Sequence, residues 1–114
     1  MIDLLKEKDL KLSLAESLTG GMIAQRIVNV SGASEVFGYG FVTYSNKAKH
    51  KCLGVKKRTL KEQGAVSAKC AREMAKGACK ASGADISISV TGLAGPGGGT
   101  KENSGWYCIY GLLL

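Results

Sequence analysis

The pattern of apolar and polar positions divides the chain into short strands and helices. Residues 10–15 alternate apolar and polar side chains, and residues 36–44 are rich in aromatic and β-branched types, so both segments are predicted strands. Residues 68–82 repeat small apolar side chains at intervals of three and four, which predicts a helix with one face on a sheet. The other predicted elements are helices at 2–9, 22–30, 45–52 and 56–63 and strands at 85–90 and 105–114.

The order of these elements predicts an α/β fold in which helices cover a mixed sheet. No repeat or linker divides the 114 residues, so we expect a single domain spanning 1–114. The last segment is an apolar strand, 105–114. We expect a following helix or a second copy of the chain to cover it, and we therefore expect a homo-oligomer.

Composition narrows the class of protein. With 45% hydrophobic and 22% charged residues, the chain is typical of a globular protein rather than a disordered one. It has no apolar run near the roughly 20 residues of a membrane span and no apolar signal-peptide core, so we expect a cytoplasmic protein without membrane contact. The four cysteines lack metal-type spacing, which predicts free thiols and neither a metal nor a cofactor.

The net charge of +7 has a local origin, because seven cations fall between positions 47 and 61. A run of this kind is usually a solvated face. It also permits binding to nucleic acid, although no aromatic residues are interleaved with the cations, so we regard nucleic acid as an improbable partner. A third interpretation is electrostatic steering of a small anionic substrate such as a nucleotide.

A serine at a strand-to-helix turn is the first candidate for chemistry. Ser17 follows the predicted strand 10–15, and ligands of open α/β sheets bind at the carboxyl ends of strands. The backbone N–H groups of Thr19, Gly20 and Gly21 stand at the start of the next helix, where such groups can hold a phosphate or an oxyanion. A simpler interpretation is that Ser17 or Thr19 only caps this helix.

A serine nucleophile needs a base. The single histidine, His50, lies between two lysines and has no visible carboxylate partner, so a Ser-His-Asp triad fits poorly. Lys47 falls in the first turn of the helix that Ser45 can cap, where a lysine loses its proton more easily. Tyr44, three residues earlier, would share a side with Lys47 and could relay a proton. Strand-end packing for Tyr44 and a surface position for Lys47 are the plainer alternatives.

A glycine-rich segment follows the predicted strand 85–90. It begins at Thr91 and Gly92 and continues to position 99, without the residues of a Walker loop or of a dinucleotide-binding fingerprint. Its N–H groups could wrap a nucleotide. A flexible connection between two strands explains the glycines equally well.

Four blocks of this sequence together resemble the CinA C-terminal domain family, whose stand-alone members are nicotinamide-nucleotide amidohydrolases. The blocks are AESLTGG at 15–21, GFVTYSNKAK at 40–49, GAVS at 64–67 and TGLAGPGG at 91–98. They occur in the family's order and spacing across nearly the whole chain. The resemblance is therefore more specific than any one of the motifs.

The resemblance implies a three-layer α/β/α sandwich and hydrolysis of nicotinamide mononucleotide to nicotinate mononucleotide and ammonia, without a metal. It implies catalytic roles for Ser17, Tyr44 and Lys47 and a substrate contact for Thr91. It also implies a further strand, an arginine-bearing segment and a closing helix beyond the end of this sequence, so we expect the domain to lack its last elements. A non-catalytic nucleotide-binding domain and a basic nucleic-acid-binding domain are the rival functions.

Overall fold

The computed structural model describes residues 1–93 and the strand at 107–113. The glycine-rich positions 94–99 of the predicted loop lie outside the described residues. The observed elements are α1 (Ile2–Glu7), β1 (Leu12–Glu16), α2 (Met22–Val28), β2 (Phe37–Val42), α3 (Asn46–Leu53), α4 (Lys57–Glu62), α5 (Ala68–Ser82), β3 (Ile86–Leu93) and β4 (Tyr107–Leu113). Each predicted helix and strand is present, and the bounds of α5 are as predicted.

The strands form one sheet in the order β2–β1–β3–β4. The first three strands are all parallel, with Glu16 at the end of β1 in register with Val42 of β2 and Val90 of β3. β4 pairs with β3 in the antiparallel direction. The α/β class is therefore confirmed, and the sheet consists of a three-stranded parallel part with an antiparallel strand beside β3.

Both faces of the sheet are covered, so every residue of β1 is buried. Leu12 and Leu14 point to one face, where they pack with apolar residues of α1 and α2. Ala15 points to the other face, where it packs with α3 and α5 through residues such as Leu53 and Met74. The polar position in the alternating pattern, Ser13, is buried as well. Parallel sheets enclosed in this way are typical of α/β proteins.

Small residues let α5 lie close to its neighbours. A Cβ added at Gly77 would lie 1.9 Å from the carbonyl oxygen of Leu53 at the end of α3, and one at Gly111 of β4 would lie 2.5 Å from the carbonyl oxygen of Ala71. Any larger side chain at these glycines would push backbone apart. The spacing of small side chains predicted for 68–82 thus serves the close packing of α5 on the sheet and on α3.

Parallel pairing brings the carboxyl ends of β1, β2 and β3 to one edge of the sheet. The N–H of Ser17 donates to the carbonyl of Val90, and the N–H of Thr43 donates to the carbonyl of Glu16. Ser17, after β1, therefore lies between the segments that follow β2 and β3. This edge is where α/β folds bind their ligands.

Candidate active site

Ser17 begins the turn between β1 and α2 and is buried, with 6% of its surface exposed. Its backbone is held by the hydrogen bond to Val90, and its carbonyl accepts the N–H of Gly20 within the turn. The hydroxyl forms a hydrogen bond with the amine of Lys49, at 2.8 Å between Oγ and Nζ. A serine and a lysine within hydrogen-bond distance can act as nucleophile and base.

Lys49 reaches Ser17 from α3. Ser45 caps this helix by accepting the N–H of Ala48 at 3.0 Å, which starts the helix directly after β2. Lys49 lies about one helical turn after Ser45 and four positions before the buried Leu53. Residues four apart share one face of a helix, so the Lys49 side chain faces the sheet as Leu53 does. Lys49 is only 1% exposed, and its amine also donates to the carbonyls of Thr43 at 2.9 Å and Tyr44 at 3.3 Å.

The surroundings of Lys49 disfavour its charged form. Burial lowers the pKa of the Lys49 amine, and the nearby Cys70 opposes this only in part. Burial also raises the pKa of the Cys70 thiol, so Cys70 supplies no ready counter-charge. Among the described residues, no carboxylate forms an ion pair with Lys49. A neutral amine that gives its two hydrogens to the carbonyls of Thr43 and Tyr44 would turn its lone pair toward the Ser17 hydroxyl.

The lysine that meets Ser17 is therefore Lys49 and not Lys47, which the sequence analysis had named. Two residues along a helix are separated by about 200° of rotation, so Lys47 and Lys49 project from opposite sides of α3. Lys47 is exposed and lines a surface cleft beside α4. The signal in the sequence was the spacing from Lys49 to Leu53, which places Lys49 on the inward face of the helix.

Tyr44 takes part in the site through its backbone. Its carbonyl accepts a hydrogen bond from Lys49, while the residue as a whole is 67% exposed. Within the described part of the chain, the phenol makes no hydrogen bond to Ser17 or Lys49. A proton relay through the phenol stays a prediction.

The turn after Ser17 is held by a buried carboxylate that the sequence analysis did not assign. Glu16 accepts hydrogen bonds from the hydroxyl of Thr19 at 2.6 Å and from the N–H groups of Gly21 at 3.2 Å, Ile23 at 3.0 Å and Ala24 at 2.9 Å. Burial raises the pKa of the Glu16 carboxyl, but these hydrogen bonds outweigh burial and the net shift is downward. Glu16 is thus an ionised cap for the start of α2.

This cap changes which amides are available to a ligand. The N–H groups of Gly20 and Gly21, predicted to bind substrate, already donate to the Ser17 carbonyl and to Glu16, and the Thr19 hydroxyl is engaged by Glu16 too. Among the described residues, no protein group accepts the N–H of Leu18 or Thr19. These two amides directly follow Ser17 and are the better candidates for an oxyanion site.

Thr91 and Gly92 lie on β3 at the same edge of the sheet. The Thr91 side chain is buried, and its hydroxyl donates to the carbonyl of Ala65 at 2.8 Å. This bond ties the segment before α5 to β3. A substrate contact by Thr91 would use the remaining acceptor capacity of the oxygen and stays a prediction.

The described residues contain no group of three His, Cys, Asp or Glu side chains arranged to hold a metal ion. Cys52, Cys70 and Cys79 are free thiols. None of the described helices has the length and apolar character needed to cross a membrane.

Comparison with known proteins identifies the family. The model of the CinA C-terminal domain matches residues 1–111. This chain belongs to the CinA C-terminal domain family. Two solved structures are similar over almost all of it: the competence/damage inducible protein CihA from Agrobacterium tumefaciens, at 39% identity and a TM-score of 0.89, and a CinA superfamily protein from Klebsiella pneumoniae, at 34% identity and 0.92. They cover 97% and 96% of this chain, which covers 74% and 69% of theirs.

Curated relatives in the CinA family are considerably longer than this chain. A relative from Clostridium perfringens is 62% identical over 111 residues, which are 97% of this chain and 27% of the relative. A CinA-like protein from Kosmotoga olearia is 55% identical over 114 residues, which are all of this chain and 28% of the relative. The chain therefore spans about a quarter of the length of these relatives.

Proposed function

We propose that this domain is an amidohydrolase that deamidates nicotinamide mononucleotide, with Ser17 as the nucleophile and Lys49 as the base. The observation that carries the proposal is the 2.8 Å contact between a buried serine hydroxyl and a buried amine without an ionic partner among the described residues. A buried lysine that only stabilised the fold would be expected to have a carboxylate beside it.

The reaction begins with transfer of the Ser17 proton to the neutral Lys49 amine as Oγ attacks the carboxamide carbon. The carbonyl oxygen becomes an oxyanion, which the amides of Leu18 and Thr19 stabilise. The Lys49 ammonium then returns the proton to the amide nitrogen, the C–N bond breaks and ammonia leaves. Water attacks the resulting ester with Lys49 again as base, which releases the carboxylate and restores the serine.

The choice of substrate rests on the family, since the resemblance implies a nicotinamide nucleotide amidase. The charge of the chain is compatible with this choice, because a net charge of +7 favours the approach of a phosphate-bearing substrate. Glu16 contributes by fixing the turn that presents Ser17 and the two amides.

Ammonia release from nicotinamide mononucleotide, with nicotinate mononucleotide measured as the second product, tests the proposal. Nicotinamide without the ribose phosphate serves as the matched substrate control, and Ser17→Ala as the matched protein control. We expect turnover of the nucleotide, slow or no turnover of free nicotinamide, and loss of turnover in the variant. Binding of the nucleotide without any ammonia would instead support a non-catalytic nucleotide-binding domain.

A further inference from the structure

A basic cleft lies between α3 and α4. It has a volume of about 650 Å³, and its walls carry Lys47, Lys51, Lys57 and Lys61, with His50 and Leu60 also lining it. Lys47 and Lys51 are four residues apart on α3, and Lys57 and Lys61 are four residues apart on α4. Each wall therefore presents two lysines whose Cα atoms are about 6 Å apart along the helix axis. We call this feature the α3–α4 cleft.

The α3–α4 cleft is separate from the Ser17 site. Lys49 projects from the opposite side of α3 and is buried against Ser17, and neither residue lines the cleft. The substrate proposed above would react on one side of α3, and a ligand in the cleft would lie on the other. The two sites can consequently be tested independently.

Among the described residues, none of the four amines forms an ion pair with a carboxylate. The sequence has no Asp or Glu from position 36 to position 61. In the described part of the chain, the two ion pairs are Lys6–Glu35 and Arg58–Glu62, and neither includes a lysine of the cleft. Glu73, the acidic residue of α5, accepts hydrogen bonds from the Lys56 amide and the Thr59 hydroxyl. The four lysine amines that face the α3–α4 cleft repel each other, and an anion bound between them would reduce this repulsion.

The form of the cleft favours a small anion over a nucleic-acid strand. Its volume lies in the range of small-molecule pockets, about 300–1,000 Å³. Surfaces for single strands stack bases on aromatic side chains, and none of the described residues that line this cleft is aromatic. Two amines on each wall suit a ligand with several phosphates in a row.

We propose that the α3–α4 cleft binds a small molecule carrying a polyphosphate chain, at a site distinct from the Ser17 site. The terminal phosphates lie between the two lysine pairs, and Leu60 offers an apolar contact to the rest of the ligand. The Nδ1 atom of His50 lies 2.8 Å from the carbonyl oxygen of Val55. A carbonyl can only accept, so Nδ1 carries the proton and Nε2 is the ring nitrogen left for the ligand.

Isothermal titration with inorganic triphosphate tests this site. The double variant Lys51→Ala/Lys57→Ala removes one amine from each wall. The double variant Lys8→Ala/Lys80→Ala removes two exposed lysines elsewhere and lowers the net charge equally. We expect the cleft variant to weaken binding at least about tenfold, as two lost charge-assisted contacts should. The control variant should stay within about twofold, the size of a general charge effect.

Several results would overturn the proposal. Equal weakening by the two double variants would show a general charge effect, and absence of triphosphate binding to the unaltered chain would remove the site. A single-stranded oligonucleotide that binds more tightly than triphosphate, and that the cleft variant weakens, would make the cleft a nucleic-acid surface. Ser17→Ala should bind triphosphate as the unaltered chain does, so failure of the amidase proposal leaves this test intact.

Discussion

The amine of Lys49 lies 2.8 Å from the hydroxyl of Ser17, although the two residues are 32 positions apart in the sequence. The contact exists because β1 and β2 pair in parallel, so that the segments after them meet at one edge of the sheet. Ser17 is the first residue after β1, and α3 begins four residues after β2. The fold thereby brings the proposed nucleophile and the proposed base together without a histidine.

The pH dependence of turnover should report the Lys49 amine. Burial lowers the pKa of Lys49, so the neutral form that can accept the serine proton is reached at a lower pH than for an exposed lysine. We expect kcat/KM for ammonia release to rise with pH through a midpoint below about 10.4, the ordinary lysine value. Activity that is flat with pH, or that rises only at the ordinary lysine value, would contradict a neutral Lys49 base.

Replacing Lys49 should also change how stability depends on pH. Because the folded-state pKa of Lys49 is lowered, the unfolded chain binds more protons between the folded and unfolded pKa values, and the stability of the unaltered protein rises with pH in that window. Below the pKa of Lys49 in the folded state, the free energy of folding includes the whole cost of burying a charged amine. Above its pKa in the unfolded state, the amine is neutral in both states and this cost is zero.

Urea unfolding of Lys49→Met beside the unaltered protein measures this effect. We expect the stability of the variant, relative to the unaltered protein, to be greatest near neutral pH and to fall as the pH is raised. Exposed Lys80→Met is the control and should give a difference that is small and constant. A constant difference for Lys49→Met as well would mean that Lys49 titrates as an ordinary lysine.

Glu16→Gln should destabilise the protein by about 2–4 kcal/mol. The neutral amide replaces a carboxylate that accepts four hydrogen bonds, and charge-assisted bonds contribute more than neutral ones. The lowered pKa of Glu16 adds stability that is present above its unfolded pKa and is lost as the pH falls through the folded one. The variant should therefore lose less stability in acid than the unaltered protein does.

Denaturant unfolding at neutral and acidic pH measures both effects. Glu62→Gln is the matched control, because it makes the same chemical change at a residue whose partner, Arg58, is exposed. We expect that control to stay within about 0.5 kcal/mol. If the two variants behave alike, Glu16 does not hold the turn as the structure indicates.

Gly77→Ala should destabilise the fold although alanine is the better helix former. Helix propensity favours the change by about 1 kcal/mol, but the new methyl group would lie 1.9 Å from the Leu53 carbonyl oxygen. Moving α5 away from α3 costs more free energy than the higher helix propensity of alanine provides, so we expect the free energy of unfolding to fall by about 1–3 kcal/mol. Gly38→Ala is the control, since open space surrounds that glycine. A thermal melt in which Gly77→Ala is the more stable of the two would contradict the close α3–α5 contact.

The helices and strands were predictable because local periodicity decides them. The cap at Ser45 and the small-residue face of α5 follow from residue types alone and are present as expected. The position of Ser17 could also be predicted from the sequence, because a serine after a strand and before a glycine pair indicates a ligand-binding turn. In the structure its hydroxyl forms a hydrogen bond with the amine of Lys49, while its role as a nucleophile stays a prediction.

The sequence analysis was wrong about which lysine meets Ser17, because the position along a helix was weighed and the side of the helix was not. The first-turn argument favoured Lys47, but the rotation between positions 47 and 49 places only Lys49 toward the sheet. Substrate binding by Gly20 and Gly21 stays a prediction, but the sequence analysis did not foresee that their N–H groups have acceptors within the protein. The local sequence does not show that the Glu16 carboxylate accepts a hydrogen bond from the N–H of Gly21, because that contact depends on how α2 packs against β1.

Ammonia release by Lys49→Met and Lys47→Met, measured side by side on nicotinamide mononucleotide, tests the Ser17–Lys49 pair most directly. The two variants make the same chemical change two residues apart on one helix. Loss of a catalytic base costs about 100-fold or more, so Lys49→Met should fall at least that far while Lys47→Met stays within a few-fold of the unaltered domain. Full activity in Lys49→Met, or a larger loss in Lys47→Met, would contradict Lys49 as the base that activates Ser17.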